Sequence, residues 1–410
     1  MAGQKTIWLI NQYASTPQTG MGGRHYYLAK ELAKQGHKVY LVAASFTHLL
    51  REPPTMDAAF KMEAAEGFHF VWVRMPEYHD AHDKKRVLNW FIFAWRLLKL
   101  PRIIADKPDV ILASSPAPFV FLAAQRLARE MGARFAFEVR DIWPLSLMEL
   151  GGYSRNNPII RIMQWVEDKA YRYSDVVLSN LPYAVDHMVA RGMDRDKFAW
   201  VPNGFSLADV SLHVPLPEAV RAQIPQDKFI VGYTGTLGVA NALDTLIGAA
   251  AILKDQADVV FVLVGGGKEK IRLMKKDQTL HNVVFVDPIA KTQIQTMLAQ
   301  FDVCFIGLTK DPLFRFGVSP NKLFDYFYAG KPILYAIESG RYLPVDEAKA
   351  GISIPAENPQ AIAEAVLQLK ALSPEERARL GQNGREYALE NHDYARLAEK
   401  LASVLLNDRC

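Results

Sequence analysis

Residues 314–334 read FRFGVSPNKLFDYFYAGKPIL, which combines a loop, a short helix and a buried strand in immediate succession. The Ser-Pro-Asn turn at 319–321 predicts the start of a helix, and the aromatic-rich run at 322–327 continues it. The strand PILYAI follows at 332–337 after a Gly and a Pro that end the helix. Because the first N–H groups of a helix are unpaired and carry the positive end of its dipole, this stretch predicts a phosphate-binding site.

The same succession of apolar strand and helix recurs along the 410 residues of the chain. The first half contains TIWLINQY, HKVYLVAAS, DVILASS, RFAFEVRD and DVVLSN, and the second half contains FIVGYTGTL, DVVFVLVGGG, NVVFVDPI, DVCFIGL and KPILYAI. Apolar strands that alternate with helices predict parallel sheets that are covered on both faces. We therefore predict an N-terminal domain at 1–205, a proline-bearing linker at 206–226, a second domain at 227–385 and a C-terminal helix at 386–410, a candidate to pack back on the first domain.

The composition narrows the class of protein. The formal net charge of +4 and the pI near 8.8 are too weak a basic excess to indicate a nucleic-acid partner. Two cysteines provide neither a disulfide framework nor a metal quartet, which suits a reducing cytoplasm. The N-terminal segment has no features of a signal peptide, and Asn89 and Arg96 interrupt the longest apolar stretch before it reaches the length of a membrane span. We therefore expect a cytoplasmic location.

Glycines cluster in the loops that follow predicted strands. Gly22 and Gly23 precede the first helix, and they either let a backbone approach a ligand closely or form a simple flexible turn. In the second domain, GYTGTLGVANALDTLI at 232–247 repeats this arrangement. In LVGGGKEKIRL at 263–273, Lys268 follows three glycines and is either a solvated charge or a phosphate contact.

Taken in order, these motifs resemble the family-4 retaining glycosyltransferases of the GT-B fold over nearly the whole chain. Besides the loops above, the resemblance is carried by VPNGFSL at 201–207, NVVFVDPIAKTQIQTMLAQFDVCFIGL at 282–308 and AGISIPAENPQAIAEAVLQL at 350–369. It implies an α/β protein with two Rossmann-like, doubly wound domains that face each other across a cleft. FEVRDIWPLSLMELG at 137–151 is similar to the subgroup that builds bacterial O-antigen and capsule sugars, including the N-acetylfucosaminyl transferases.

The resemblance also implies a donor site at the segment 314–334. Lys322 would supply a cation to the diphosphate of a nucleotide sugar. Asp325 falls on the second acid of the family's E-x7-E signature and would hold the ribose hydroxyls, although it could instead stabilise its own helix. The first acid of that signature is replaced by Gly317. The predicted donor-binding set is completed by Gly22, Gly23, Gly235, Thr236, Gly267, Pro288, Ser319, Pro320 and Asn321.

A second group of predicted residues belongs to the acceptor side. Asp141, in VRDIWP, is either an active-site acid at a strand end or a turn-forming residue before a helix. We predict catalytic roles for Asp141, Lys322 and Lys268. His25 is expected on a helix surface, and Asn203 is expected in a hinge turn close to the cleft. The predicted acceptor or cleft residues are Arg24, Arg140, Trp143 and Asn203.

The resemblance implies retaining transfer of a sugar, an N-acetylated amino sugar for this subgroup, from a UDP-linked donor to a glycan or a polyprenyl-diphosphate-linked acceptor. Since the sequence has no cluster of carboxylate, His or Cys ligands, we expect a metal-independent reaction without a cofactor. Helix dipoles, N–H groups and lysines would then meet the charge of the leaving group. Two alternatives remain open: a nucleotide-sugar 2-epimerase of the same fold, and a glycosyltransferase-like subunit that only binds.

The segment DKKRVLNWFIFAWRLLKLPR at 83–102 combines aromatic and leucine side chains with six basic residues. This composition is typical of a helix that lies at a membrane surface, and equally of a core helix flanked by surface charges. The first alternative predicts peripheral attachment to the inner face of the cytoplasmic membrane. The apolar side chains that carry this expectation are Trp90, Phe91, Phe93, Trp95, Leu97, Leu98 and Leu100, and the basic ones are Lys84, Lys85, Arg86, Arg96, Lys99 and Arg102.

Overall fold

The chain folds into two compact units. The structure, a computed structural model, describes residues 3–20, 22–79, 83, 85–276 and 280–407. Unit 1 comprises Met1–Pro202 and Tyr394–Cys410, and unit 2 comprises Asn203–Asp393. Each unit is built around a sheet of its own, so we describe them separately.

Unit 1 contains an eight-stranded sheet with the order β3-β4-β2-β1-β5-β6-β7-β8. All neighbouring strands are parallel except β3 and β4, which form an antiparallel edge. The central strands are buried along almost their full length because helices cover both faces. The strands are β1 (Thr6–Ile10), β2 (Lys38–Ala44), β3 (Phe60–Ala65), β4 (Phe68–Val73), β5 (Val110–Ser114), β6 (Arg134–Val139), β7 (Val176–Ser179) and β8 (Phe198–Trp200).

Helices connect the strands of unit 1 and bury their apolar sides against the sheet. They are α1 (Arg24–Lys34), α2 (Lys85–Leu97), α3 (Val120–Met131), α4 (Leu145–Glu149), α5 (Pro158–Tyr173) and α6 (Ala184–Ala190), with short 3₁₀ turns at Leu100–Arg102 and Arg195–Lys197. Because α3 and α5 lead directly into the next parallel strand, they begin near the carboxyl edge of the sheet. This is the edge at which ligands bind in such sheets.

Unit 2 contains a six-stranded, wholly parallel sheet with the order β11-β10-β9-β12-β13-β14. Its strands are β9 (Phe229–Thr234), β10 (Val259–Val264), β11 (Val283–Val286), β12 (Val303–Gly307), β13 (Ile333–Ala336) and β14 (Gly351–Ser353). Its helices are α7 (Leu207–Val210), α8 (Glu218–Arg221), α9 (Leu243–Ile252), α10 (Lys270–Lys276), α11 (Ile294–Leu298), α12 (Asn321–Tyr328), α13 (Pro344–Glu347), α14 (Pro359–Ala371) and α15 (Pro374–Asn391), and its 3₁₀ turns are Val239–Asn241, Lys291–Gln293 and Pro312–Phe316. The predicted architecture of two α/β domains, each with a mainly parallel sheet, is confirmed.

Residues 206–226, which the sequence predicts as a linker, are instead an integral part of unit 2. They form α7 and α8, and both helices have only four residues. Val210 and Ile224 are buried in the core of unit 2. Prolines keep these helices short and hide the apolar periodicity, so the sequence pattern appears weaker than the packing it produces.

The helical tail is divided between the units. α15 ends at Asn391, and a separate helix, α16 (Tyr394–Leu406), belongs to unit 1. Tyr394 stacks on Tyr27 of α1 with ring centroids 5.1 Å apart, and Leu397 and Leu401 are buried in the same core. The structure therefore divides the predicted helix at 386–410 between Asn391 and Tyr394, and the chain returns to unit 1 after Asp393.

One side of helix α2 packs in the core of unit 1 and the other side is exposed, and attachment to a membrane stays a prediction. Trp90, Phe93, Leu97 and the following Leu100 are buried, so the expectation that they face a membrane is wrong. These four residues fall on the side of the helix that packs against β4 and α3. The outer side exposes Phe91 and Trp95, and Lys84 lies outside the described residues. None of the helices within the described part of the chain combines the length and the apolar character needed to span a membrane.

Candidate active site

The loops after β9 and β10 run side by side at the carboxyl edge of the sheet in unit 2. The N–H of Leu237 donates to the carbonyl of Gly266 at 2.8 Å. A Cβ atom on Gly265 would lie 1.9 Å from the carbonyl oxygen of Gly235, and one on Gly267 would lie 2.2 Å from that of Leu237. Only glycine allows this approach, which brings the predicted residues Gly235 and Gly267 together.

A polar cluster, here called the lysine cluster, consists of Lys322, Tyr233, Asn241 and Thr236. The Lys322 ammonium donates to Tyr233 Oη at 2.7 Å and to Asn241 Oδ1 at 2.8 Å. Tyr233 Oη and Asn241 Nδ2 in turn donate to the Thr236 carbonyl at 2.8 and 3.0 Å. Each neutral partner is fixed by a second hydrogen bond, so the ammonium is held in one place at the end of β9.

The charge of Lys322 has no counter-charge nearby. In the described part of the chain, no carboxylate forms an ion pair with its ammonium, whose two hydrogen bonds use two of its three N–H groups. Burial lowers the pKa of Lys322 to about 7. Burial removes the water that would stabilise the positive charge. An anion that accepted a hydrogen bond from the third N–H would restore part of this stabilisation, so the lysine cluster is suited to bind a phosphate group.

The loop before α12 is fixed by Asn203. Asn203 Nδ2 donates to the carbonyl of Ser319 at 3.0 Å, and the N–H of Asn203 donates to Ser319 Oγ at 3.2 Å. Helix α12 then begins after Pro320 without a side-chain cap, so N–H groups of its first turn stay available. Asn203, which the sequence places in a hinge turn, is buried beside the predicted phosphate loop.

Asp325 lies one turn after Lys322 and is half-buried. No hydrogen bond from the described residues reaches its carboxylate, and burial raises its pKa to about 6, against the opposing charge of Lys291. At neutral pH the carboxylate is therefore ionised and able to accept hydrogen bonds from hydroxyl groups. Its ribose-binding role stays a prediction.

Gly317 occupies the place of the missing acid, with φ 93° and ψ 168°. This is a region of backbone conformation that is almost restricted to glycine. The loop after the 3₁₀ turn Pro312–Phe316 therefore has a shape that a glutamate would strain. The local backbone gives a physical reason for the departure from the E-x7-E pattern.

The other predicted residues of unit 2 lie at the same edge of the sheet. Lys268 follows Gly267 and is exposed to solvent. Pro288 packs over Gly266, where an added Cβ atom would come within 3.0 Å of its ring. Nothing in their contacts distinguishes a phosphate-binding Lys268 from a solvated one, so its role stays a prediction.

In unit 1 the glycine-rich loop leads into α1 through Gly22 and Gly23, whose φ angles are 66° and 84°. The helix begins at Arg24 without a side-chain cap. Arg24 is buried: its Nε donates to Glu138 Oε1 at 2.9 Å and its Nη2 to the carbonyl of Val201 at 2.8 Å. The structure therefore places Arg24 beneath the loop, where it fixes the start of α1; its role as an acceptor or cleft residue stays a prediction.

His25 is also buried, so its predicted position on a helix surface is wrong. Asn11 Oδ1 accepts the N–H of Tyr13 at 2.9 Å, which turns Asn11 Nδ2 toward His25 Nδ1 at 2.8 Å. Nδ1 is thus an acceptor, and Nε2 carries the proton that it donates to Glu138 Oε2 at 2.7 Å. Burial lowers the pKa of His25, which keeps the ring neutral.

Glu138 is the centre of this buried group, and the sequence analysis did not single it out. Its carboxylate also accepts a hydrogen bond from Ser114 Oγ at 2.6 Å. Burial alone would raise the pKa of Glu138, but the charge of Arg24 and the hydrogen bond from His25 hold that pKa well below its usual range. The only signal in the sequence is one glutamate inside the apolar strand RFAFEV.

Asp141 and Trp143 follow β6 and border a recess that also contains Phe137, Met163 and Val166; we call it the Asp141 recess. The Asp141 side chain reaches solvent, yet the surrounding protein withdraws enough water to raise its pKa, against the charge of Arg140. The N–H of Arg140 donates to Ser115 Oγ at 2.8 Å. The structure thus brings together three of the predicted acceptor-side residues: Arg140, Asp141 and Trp143.

Among the residues that the structure describes, no three His, Cys, Asp or Glu side chains form a group that could hold a metal ion. The expected metal independence remains a prediction.

Comparisons with known proteins match both units to glycosyltransferases. Residues 19–204 match the model of the "Glycosyl transferase 4-like domain", and residues 218–387 match that of the "Glycosyl transferases group 1". The putative colanic acid biosynthesis glycosyl transferase WcaI of Escherichia coli K12 is 25% identical over 76% of this chain and 78% of its own length. The probable glycosyltransferase WbjE of Pseudomonas aeruginosa is 21% identical over 93% of this chain and 94% of its own.

A solved structure, that of Anabaena HepE in complex with UDP and glucose, shares the fold. It aligns with a TM-score of 0.65 and 16% identity over 98% of this chain and 99% of that one. At this identity the likeness bears on the fold alone.

The conformation of Gly317 leads to a prediction about stability. We expect Gly317→Ala to lower the free energy of unfolding by about 1–3 kcal/mol, the usual cost of a non-glycine residue in such a region. Gly317→Glu should lose at least as much. The measurement is urea denaturation followed by a probe in unit 2. An alanine variant as stable as the wild type would show that the backbone is not the reason for the missing acid.

Proposed function

We propose a specific reaction for this chain, which belongs to the glycosyltransferases that carry a 4-like domain followed by a group 1 domain. It transfers a sugar from a nucleotide-diphosphate donor to a growing glycan or a polyprenyl-diphosphate-linked acceptor in the synthesis of a bacterial surface polysaccharide. The names of WcaI and WbjE support a reaction of this kind. The observation that carries the proposal is the ammonium of Lys322 at the end of β9, which forms no ion pair with a carboxylate of the described residues.

The donor site is proposed to lie in unit 2. The third N–H of Lys322, the backbone at Gly235 and Gly267, and the first turn of α12 would contact the diphosphate. Asp325 lies one helical turn after Lys322. Its ionised carboxylate would accept hydrogen bonds from the ribose hydroxyls. UDP is the nucleotide that we favour, because HepE, with the same fold, was solved with UDP and glucose. An N-acetylated amino sugar is the proposed donor sugar, from the resemblance of residues 137–151.

The chemical step that we propose retains the configuration at the sugar. The bond between C1 of the sugar and the phosphate oxygen breaks, and the acceptor oxygen forms its bond to C1 on the same face. The acceptor's proton passes to the departing diphosphate, so no enzymatic nucleophile is needed. Negative charge grows on the diphosphate in the transition state, and Lys322 together with the dipole of α12 would stabilise it without a metal ion.

The acceptor is proposed to bind at Arg140, Asp141 and Trp143 of unit 1. An aromatic ring, a cation and a carboxylate with a raised pKa form a set that is suited to a sugar with several hydroxyl groups. Because the acceptor's proton passes to the diphosphate in the proposed step, the carboxylate of Asp141 would orient the acceptor hydroxyl. A polyprenyl-linked acceptor would require contact with a membrane, for which the exposed side of α2 is the first candidate.

Replacing Lys322 tests the donor site. Lys322→Ala should lower kcat at least ~10²-fold, the scale for the loss of one charge partner in the transition state. Lys370→Ala, which removes an ion pair with Asp258 at the opposite end of β10, should leave kcat unchanged. The assay is transfer from a panel of UDP-sugars to a lipid-linked acceptor. Wild-type kcat in Lys322→Ala would refute the assignment, and release of an epimerised sugar without acceptor would identify an epimerase instead.

The two shifted pKa values predict how donor affinity depends on pH. Above pH 7 the amine of Lys322 becomes neutral and loses its attraction for the diphosphate, and below pH 6 Asp325 becomes protonated and stops accepting from hydroxyl groups. Each limb should weaken binding by up to about tenfold per pH unit, because one proton is linked to each. The affinity should therefore be highest between about pH 6 and pH 7.

Calorimetric titration with UDP-glucose from pH 5 to pH 9 measures this dependence, because its doubly esterified diphosphate keeps its charge over the range. Lys322→Met should flatten the alkaline limb, and Asp325→Asn should flatten the acidic limb. A wild-type affinity that is independent of pH would contradict the assignment of both residues.

Metal independence is tested by chelation. Transfer activity should persist in EDTA, because the proposed charge partners of the diphosphate are an ammonium and helix N–H groups. Loss of activity in EDTA that Mg²⁺ or Mn²⁺ restores would show that a metal ion takes part.

A further inference from the structure

Helix α5 exposes apolar side chains in the same manner as α2. Ile159, Ile162 and Trp165 are 59%, 51% and 51% exposed, although all three are of types that are usually buried. On α2, Leu88, Phe91 and Trp95 are 56%, 48% and 61% exposed. Each helix also has a largely apolar buried side, so these outer residues are not needed to attach the helix to the sheet.

The two exposed sides belong to one face of unit 1. Helix α3 packs against α2 on one side and against α5 on the other, and its own Leu122 is exposed between them. Phe91 stacks on Phe119, at the start of α3, with ring centroids 4.1 Å apart. Ile159, Ile162 and Trp165 lie in the first half of α5, which is the half near the carboxyl edge of the sheet.

The charges on this face are mainly basic, and the exposed acid of α3, Glu130, pairs with Arg126 at 2.7 Å. Residues 85–102 contain five basic residues and no acidic one. On α5, Arg161 and Arg172 are exposed and basic, whereas its two acids are engaged within the unit. Glu167 is buried and accepts the Tyr171 hydroxyl at 2.7 Å, and Asp168 pairs with Arg191 at 2.6 Å.

Aromatic rings and lysines are paired on both helices. The ammonium of Lys99 lies 4.6 Å from the ring centroid of Trp95. The ammonium of Lys169 lies 5.0 Å from the ring centroid of Tyr173 and 5.8 Å from that of Trp165. Arg161, Ile162 and Trp165 also line a shallow surface groove with Pro158. Rings beside cations are the combination that settles at the boundary between phospholipid headgroups and acyl chains.

The inner sides of the same helices border the predicted acceptor residues. Met163 and Val166 of α5 line the Asp141 recess. Trp90 of α2 contacts Trp143 edge to face, with ring centroids 5.6 Å apart. A surface that bound the outer sides of α2 and α5 would therefore lie one helix diameter away from Asp141 and Trp143, about 10 Å.

We propose that the outer sides of α2 and α5 form a single docking surface for an anionic phospholipid bilayer, with α5 as its second contact. A second copy of this chain is a poor occupant, because a twofold interface would bring two basic faces against each other. The bilayer matches both features of the surface. Its phosphates accept hydrogen bonds from the arginines and lysines, and the boundary between its headgroups and acyl chains receives the isoleucines and tryptophans. The proposal is independent of the sugar transferred, since docking requires no donor.

Co-sedimentation of the full-length chain with vesicles, without nucleotide, tests the proposal. The vesicles contain phosphatidylcholine and phosphatidylglycerol in equal parts, and phosphatidylcholine alone serves as the uncharged reference. The triple variant Ile159→Ser, Ile162→Ser and Trp165→Ser should lower the partition coefficient on the order of tenfold or more, because three apolar side chains leave the interface. Arg161→Gln combined with Arg172→Gln should instead reduce the dependence on salt.

A matched control removes exposed apolar residues from unit 2. Ile252→Ser, Ile271→Ser and Met274→Ser replace side chains that are 46%, 70% and 45% exposed, and the partition coefficient should not change. Thermal melts establish that every variant is folded. The proposal would be overturned if the folded triple variant of α5 had the partition coefficient of the wild type. It would also be overturned if the wild type did not bind anionic vesicles. A wild-type dimer that the α5 variant dissociates, with unchanged vesicle binding, would show a protein interface instead.

Discussion

One ammonium group, that of Lys322, is the centre of the donor site that we propose for unit 2. Two neutral oxygens hold it in place, and neither Tyr233 nor Asn241 supplies a negative charge. A half-buried cation in this state costs free energy, which appears as a pKa near 7. The glycine loops at Gly235 and Gly267 and the uncapped start of α12 point to the same requirement, since each leaves room or N–H groups for an anion. These features support the phosphate group that we propose as the ligand of this site.

Unit 1 also has a buried charged group, the carboxylate of Glu138, but this one is paired within the protein. Glu138 receives hydrogen bonds from Arg24, His25 and Ser114, so its charge is fully compensated. Removing one partner from such a network is costly, and the carboxylate has no capacity left to bind a ligand. This contrast separates a structural role from a binding role on physical grounds, even though both groups lie at the carboxyl edge of a parallel sheet. It also explains why Arg24 follows the glycine loop: it fixes the start of α1 from below.

The sequence predicted the sheets, the loop before α12 and the position of Lys322 in the first turn of that helix, because apolar strands and a turn followed by a helix are local patterns. It failed where long-range contacts decide. The partners of Lys322 lie 89 and 81 residues away, and no local pattern indicates that Tyr233 and Asn241 face it. Glu138 and His25 are 113 residues apart, so their hydrogen bond was not foreseen and His25 was assigned to the surface. For α2, composition alone could not tell which side of an apolar helix is buried.

The most direct test of the account is a crystal structure of the chain with bound UDP. The account predicts a diphosphate oxygen within hydrogen-bond distance of Lys322 Nζ, with the bonds to Tyr233 and Asn241 kept and the ribose hydroxyls at Asp325. A diphosphate bound elsewhere, with no contact to Lys322 or to the first turn of α12, would contradict it.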